Sequence, residues 1–171
     1  LEETLKGITD VLDSINEYAG RISSVIIYLL LVVVLYEVIS RKVFNAPTVW
    51  AFDLSFMLYS TMFLLGGGYT LKYKGHVAID VLTARLRKKQ QAIISIITYL
   101  VFFFPFVGVL LYVTGDFALQ SWADLERSQS PWNQPLYHFK TLMPLGFTLL
   151  MIQGLSEFLK AIITMQKGGN K

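Results

Sequence analysis

The sequence predicts an all-α integral membrane protein with four transmembrane helices, and three observations carry that prediction. Hydrophobic residues fill 54% of the 171 positions and the mean hydropathy is +0.51, above what a soluble domain of this length carries. From Val49 to Leu71 there is one charge, Asp53, in 23 residues. A hydrocarbon core about 30 Å thick needs roughly 20 apolar residues in a helix, so that run can span it. Three more runs of this kind, separated by polar connections, follow the same logic. The chain has room for a single four-helix domain, residues 1–165, and a polar, glycine-containing tail at 166–171.

The first twenty residues are polar and acidic, with an apolar series at Leu5, Ile8, Leu12, Ile15 and Ala19. That spacing is helical. It suits a helix lying on the membrane surface, one meeting a partner, or one that continues into the first span. The basic flank and cleavage site of a signal peptide are missing from this stretch. The first span, Ile22 to Ser40, carries only Glu37, which sits one turn before Arg41 in a favourable i, i+4 arrangement. The second, Val49 to Leu71, has Trp50 at one end and Tyr69 and Tyr73 at the other, as interfacial anchors require. Residues 72–90 form a basic connection in which Val77, Val81, Leu82 and Leu86 share one helical face, predicting an amphipathic surface helix.

The third span, Ala92 to Thr114, has Pro105 near its middle, where the missing N–H predicts a kink. A loop follows to Lys140, with a short helix expected over Asp116 to Arg127. The fourth span runs from Thr141 to about Leu159 and tolerates Pro144 in its first turn. Glu157 and Lys160 near its end are within snorkelling reach of water.

Four spans put both termini on one side. If that side is cytoplasmic, 11 Lys and Arg lie inside and 4 outside (Arg41, Lys42, Arg127 and Lys140), so the positive-inside rule predicts cytoplasmic termini. The net charge of +3 does not point to nucleic acid, because the basic residues are scattered among apolar spans. Without cysteine there is neither a thiolate metal site nor a cysteine nucleophile. The two histidines, His76 and His138, fall on opposite sides of the bilayer and cannot share a haem or metal ion. No phosphate loop, paired-carboxylate site or nucleophile–base arrangement occurs, so no enzyme and no cofactor is expected. Gly66, Gly67 and Gly68 lie inside an apolar helix and are read as a close-packing surface for another helix. Asp53, one turn inside the interface, is read as a local anchor.

A resemblance narrows these expectations. Ser40-Arg41-Lys42-Val43-Phe44-Asn45-Ala46-Pro47, then Trp50 and an acid at Asp53, resembles the small, DctQ-like membrane subunit of tripartite ATP-independent periplasmic (TRAP) transporters. Gly66 followed by His76-Val77-Ala78-Ile79-Asp80-Val81-Leu82 is similar to it as well. So are Ser130-Pro131-Trp132 with Pro135, then Pro144-Leu145-Gly146-Phe147 and Gln153-Gly154. Asp53 departs from the more usual Glu and keeps the charge. The resemblance implies a bacterial or archaeal inner-membrane protein that conducts nothing itself. It would brace a large elevator subunit that holds the organic-acid and sodium sites, beside a periplasmic substrate-binding protein. Membrane lipids would be its other neighbours. On this reading Arg41 and Lys42 help the binding protein dock, while Trp50, Asp53, His76 and Asp80 fix helix ends and the surface helix. The alternatives are a stand-alone four-helix transporter and a membrane anchor or assembly subunit of another complex. The first would want a deep ionisable residue in its first span, where Glu37 is near the end; a haem-bearing anchor would want paired intramembrane histidines.

Overall fold

The computed structural model describes residues 2–73 and 86–167. Its order is α1 (Glu2–Lys42), α2 (Ala51–Lys72), α3 (Lys88–Thr98), a π-helical turn (Tyr99–Phe103), α4 (Phe104–Ala123), α5 (Tyr137–Lys140) and α6 (Leu142–Lys167). Among the described residues four helical rods are long and apolar enough to cross a membrane, and α3, the π turn and α4 together make one of them. Among the described residues the sole β pairing is an isolated bridge between Arg127 and Pro135.

The acidic lead-in is no separate surface helix: it continues into the first span as one helix of 41 residues. Nothing between residues 2 and 42 would break it, since the stretch holds no proline and only two glycines. The helix gains its packing from both neighbours. Against α2 it runs antiparallel, with Lys72 beside Glu17, the Tyr69 ring on Gly20, Ser23 Oγ donating to Met62 O at 2.8 Å, and Trp50 stacked on Tyr36. Against α6, Thr9 and Asp13 of α1 meet Gln153, Ser156 and Lys160. α6 is the hub, packed against α1, α2, α3 and α4.

Pro105 produces its disruption one turn early. A regular helix would leave the Val101 carbonyl facing a residue that cannot donate. Here Phe104 N–H reaches back five residues to Tyr99 O, making a single π turn ahead of the proline. The same turn delivers the Phe103 ring onto Gly154, where its Cε1 lies 2.0 Å from the position a β-carbon would take.

Several boundaries differ from expectation. α4 extends to Ala123 and the chain leaves the helix at Asp124, so no separate helix covers Asp116 to Arg127. α6 continues to Lys167, beyond Leu159. The amphipathic helix expected between the second and third spans falls on residues 74–85, outside the described residues. Pro144 does sit in the first turn of α6.

Candidate functional site

The densest polar chemistry lies where α1, α2 and α6 meet near the chain's two ends. On α1, Asp13 and Asn16 stand one turn apart on the face turned to α6. Asp13 Oδ1 accepts from Ser156 Oγ at 2.5 Å and from Gln153 Nε2 at 3.0 Å. Asp13 Oδ2 pairs with Lys160 Nζ at 2.7 Å, and the same ammonium reaches Glu157 Oε1 at 2.7 Å. Lys72, in the last turn of α2, donates to Glu17 Oε2 at 2.8 Å, which also accepts from Tyr73 Oη at 2.9 Å. Asn16, Gln153 and Ser156 are fully buried. Lys160 thus bridges Asp13 and Glu157 while its side chain stays 36% exposed.

The carboxylates and ammoniums of this seam answer one another, which is what makes charges tolerable beside hydrocarbon. Close packing completes it. The Asn16 Oδ1 atom lies 1.9 Å from where a Gly68 β-carbon would be, and the Leu149 carbonyl 3.0 Å from the same point. Asn16 Oδ1 meets no conventional donor among the described residues and instead abuts the Gly68 backbone, close enough that a β-carbon there would clash. Gly146 lets Leu64 approach in the same manner.

The opposite end has its own ties. Arg41 Nη2 pairs with Glu37 Oε1 at 2.5 Å, while Glu37 Oε2 accepts from the Thr48 hydroxyl and, at 3.2 Å, from the Thr48 N–H. In the loop after α4, Lys140 Nζ meets Glu126 Oε2 at 2.5 Å and stands 3.8 Å from the centre of the Phe117 ring. The Lys140 ammonium holds the Glu126 carboxyl below the usual glutamate range.

The residues singled out from sequence distribute as follows. Arg41 is engaged with Glu37, and Lys42 is exposed in the last turn of α1. Trp50 stacks on Tyr36 with ring centres 5.6 Å apart. Asp53 occupies the first turn of α2, favourable for a carboxylate, and its buried Oδ2 meets no donor among the described residues. Of the three glycines, Gly68 is buried against Asn16, Gly66 faces Ser23 Oγ, and a β-carbon at Gly67 would meet nothing within 4 Å. His76 and Asp80 lie outside the described residues. Among the described residues no group of three His, Cys, Asp or Glu is placed to hold a metal ion. The seam was missed from sequence, although Gln153, Ser156 and Lys160 recur at helical spacing within the last span and could have flagged it.

Comparison with known proteins places this architecture. The family model described as "Tripartite ATP-independent periplasmic transporters, DctQ component" matches residues 30–164. A sialic acid TRAP transporter permease protein, SiaT, of Haemophilus influenzae (strain 86-028NP) is 23% identical over 115 residues. The match covers 64% of this chain and 18% of that relative, so the chain spans less than a fifth of the permease's length.

Proposed function

The chain belongs to the DctQ component family of TRAP transporters, and we propose that it braces the scaffold of a large elevator-type permease subunit without conducting solute. The observation that carries this reading is the pairing within the polar seam: its ammonium groups are tied to Asp13, Glu17 and Glu157 between tightly packed helices. A transport pathway instead keeps polar groups around an open, midplane site. The uptake served is that of an organic acid coupled to sodium, with both solute sites on the large subunit. The chain sits in the inner membrane with its termini in the cytoplasm, as the distribution of Lys and Arg supports.

On this topology the Glu37–Arg41–Thr48 turn faces the periplasm, and Arg41 and Lys42 offer positive charge to a substrate-binding protein. Charge there speeds encounter more than it tightens binding. The test is reconstitution. Liposomes carrying this chain alone should show no solute flux, whereas those carrying it with the large subunit and binding protein should show uptake. Flux through the isolated chain would overturn the bracing role. Arg41→Glu should slow uptake while the complex still assembles, and undiminished uptake would remove Arg41 from docking.

A further inference from the structure

α1 carries two seams, and among the described residues only one is filled. Leu5, Thr9, Leu12, Asn16, Ala19 and Ser23 begin a series in which steps of four and three alternate without a break to Ser40, and every member is buried or half-buried. That is the heptad spacing of a helix packed against other helices; here α2 and α6 cover it. A second series begins at Ile8, Val11, Ile15, Tyr18, Ile22 and Val25 and keeps the same alternation to Ile39. Each of its members is a large apolar side chain left exposed, Tyr18 at 70% and Val11 at 61%.

Lipid cannot cover this second seam from end to end. At 1.5 Å per residue it is about 46 Å long. Fitting it inside a core of about 30 Å would demand a tilt of about 50°, beyond the range transmembrane helices adopt. The charges fix where the excess lies. Lys72 on Glu17 and Lys160 on Asp13 form a polar level across three helices, and Ile8 and Val11 lie beyond it, towards the N-terminus. Hydrocarbon does not extend past a belt of ion pairs, so lipid tails do not cover those side chains.

The flank of the seam selects the kind of protein. Glu3 and Asp10 stand exposed along its edge, seven residues apart. Two copies of the chain share one orientation in a membrane, so α1 could pair with itself only in parallel, acid against acid. A different chain with basic residues at that level fits instead. In the SiaT relative the matching segment makes up 18% of the polypeptide, so it is joined to a much longer stretch of the same chain.

We infer that this exposed seam of α1 seats a long helix of the large permease subunit, with Lys or Arg of that subunit opposite Glu3 and Asp10; the inference rests on the functional reading above. A benzophenone amino acid is placed at Val11, Tyr18 or Val25, with Tyr112 of α4, 78% exposed, as the control. The tagged chain is expressed with its large subunit and irradiated in membranes. Adducts to the large subunit are expected at the three seam positions and not at Tyr112. Adducts to a second copy of the chain, or at Tyr112 alone, overturn the assignment. So does the absence of seam adducts while the large subunit still copurifies, and that outcome leaves the bracing role standing. Failure of copurification sinks the bracing role and this inference with it. A Val11→Lys, Tyr18→Lys double variant should lower retention of the large subunit about tenfold or more with helicity unchanged. Unchanged retention counts against the seam.

Discussion

Two neighbouring glycines on α2 should respond to the same substitution with opposite sign. A β-carbon at Gly67 meets nothing within 4 Å, so Gly67→Ala gains only the better helix former. That gain is about 0.5–1 kcal/mol of stability. At Gly68 the same methyl would lie 1.9 Å from Asn16 Oδ1 and 3.0 Å from the Leu149 carbonyl. The carbonyl is backbone and cannot swing aside, and Asn16 is fully buried. Overpacking of this sort costs about 1–3 kcal/mol, which exceeds the propensity gain. The assay is denaturant unfolding in detergent micelles followed by helicity. Gly68→Ala should lower the midpoint and Gly67→Ala should raise it. Asn16→Ala opens the space the methyl needs, so the double variant with Gly68→Ala should be less destabilised than the two single effects summed, by about 1 kcal/mol. If both alanines shift the midpoint alike, or if the double variant shows no coupling, the packing described around Gly68 is wrong.

The remaining predictions concern the charges. Lys160→Met leaves Asp13 and Glu157 without their ammonium and should destabilise by about 1–2 kcal/mol in the same unfolding assay, less than a fully buried pair would because Lys160 is partly exposed. The added substitution Asp13→Asn should recover part of that loss. Because Lys140 depresses the Glu126 carboxyl, their tie contributes stability that is present above the ordinary glutamate value and fades as pH falls below it. Acid titration below about pH 4.5 should therefore change Trp132 fluorescence as the loop loosens, and Lys140→Met should remove that transition. Thr48→Val deletes the hydroxyl on Glu37 and should raise hydrogen exchange across residues 43–50 while leaving α2 protected.

Hydrophobic run length revealed the four spanning rods because hydrocarbon demands about 20 apolar residues whatever else the chain does. Helix ends were harder to read. α1, α4 and α6 all continue past the apolar limit, since a helix need not stop where the membrane does, and the extensions of α1 and α6 pack on one another. The site was legible only in fragments. Glu37 with Arg41 is an i, i+4 pair and could be read directly. Asp13 with Ser156 and Lys160 joins residues at opposite ends of the chain, and no local pattern reports such a contact. Glycine roles were only partly visible for the same reason: Gly68, Gly20, Gly146 and Gly154 differ from Gly67 through what a neighbouring helix places against them.

The position of the seam bears on how the helices of this chain are held against one another. Along the membrane span α1 holds to α2 largely through apolar contact, which lipid tails can nearly match, with the Ser23–Met62 hydrogen bond near one end. Orientation of the helices must therefore be set nearer the ends. At one end Glu37 ties the α1–α2 loop through Thr48, and at the other Asp13 ties α1 to α6 while Glu17 ties it to α2. A helix pinned at both ends resists sliding and rotation, because either motion would separate the part-buried Glu17 from Lys72 and Asp13 from Lys160. That resistance is what the proposed scaffold role would require, and it holds the second seam of α1 in one orientation.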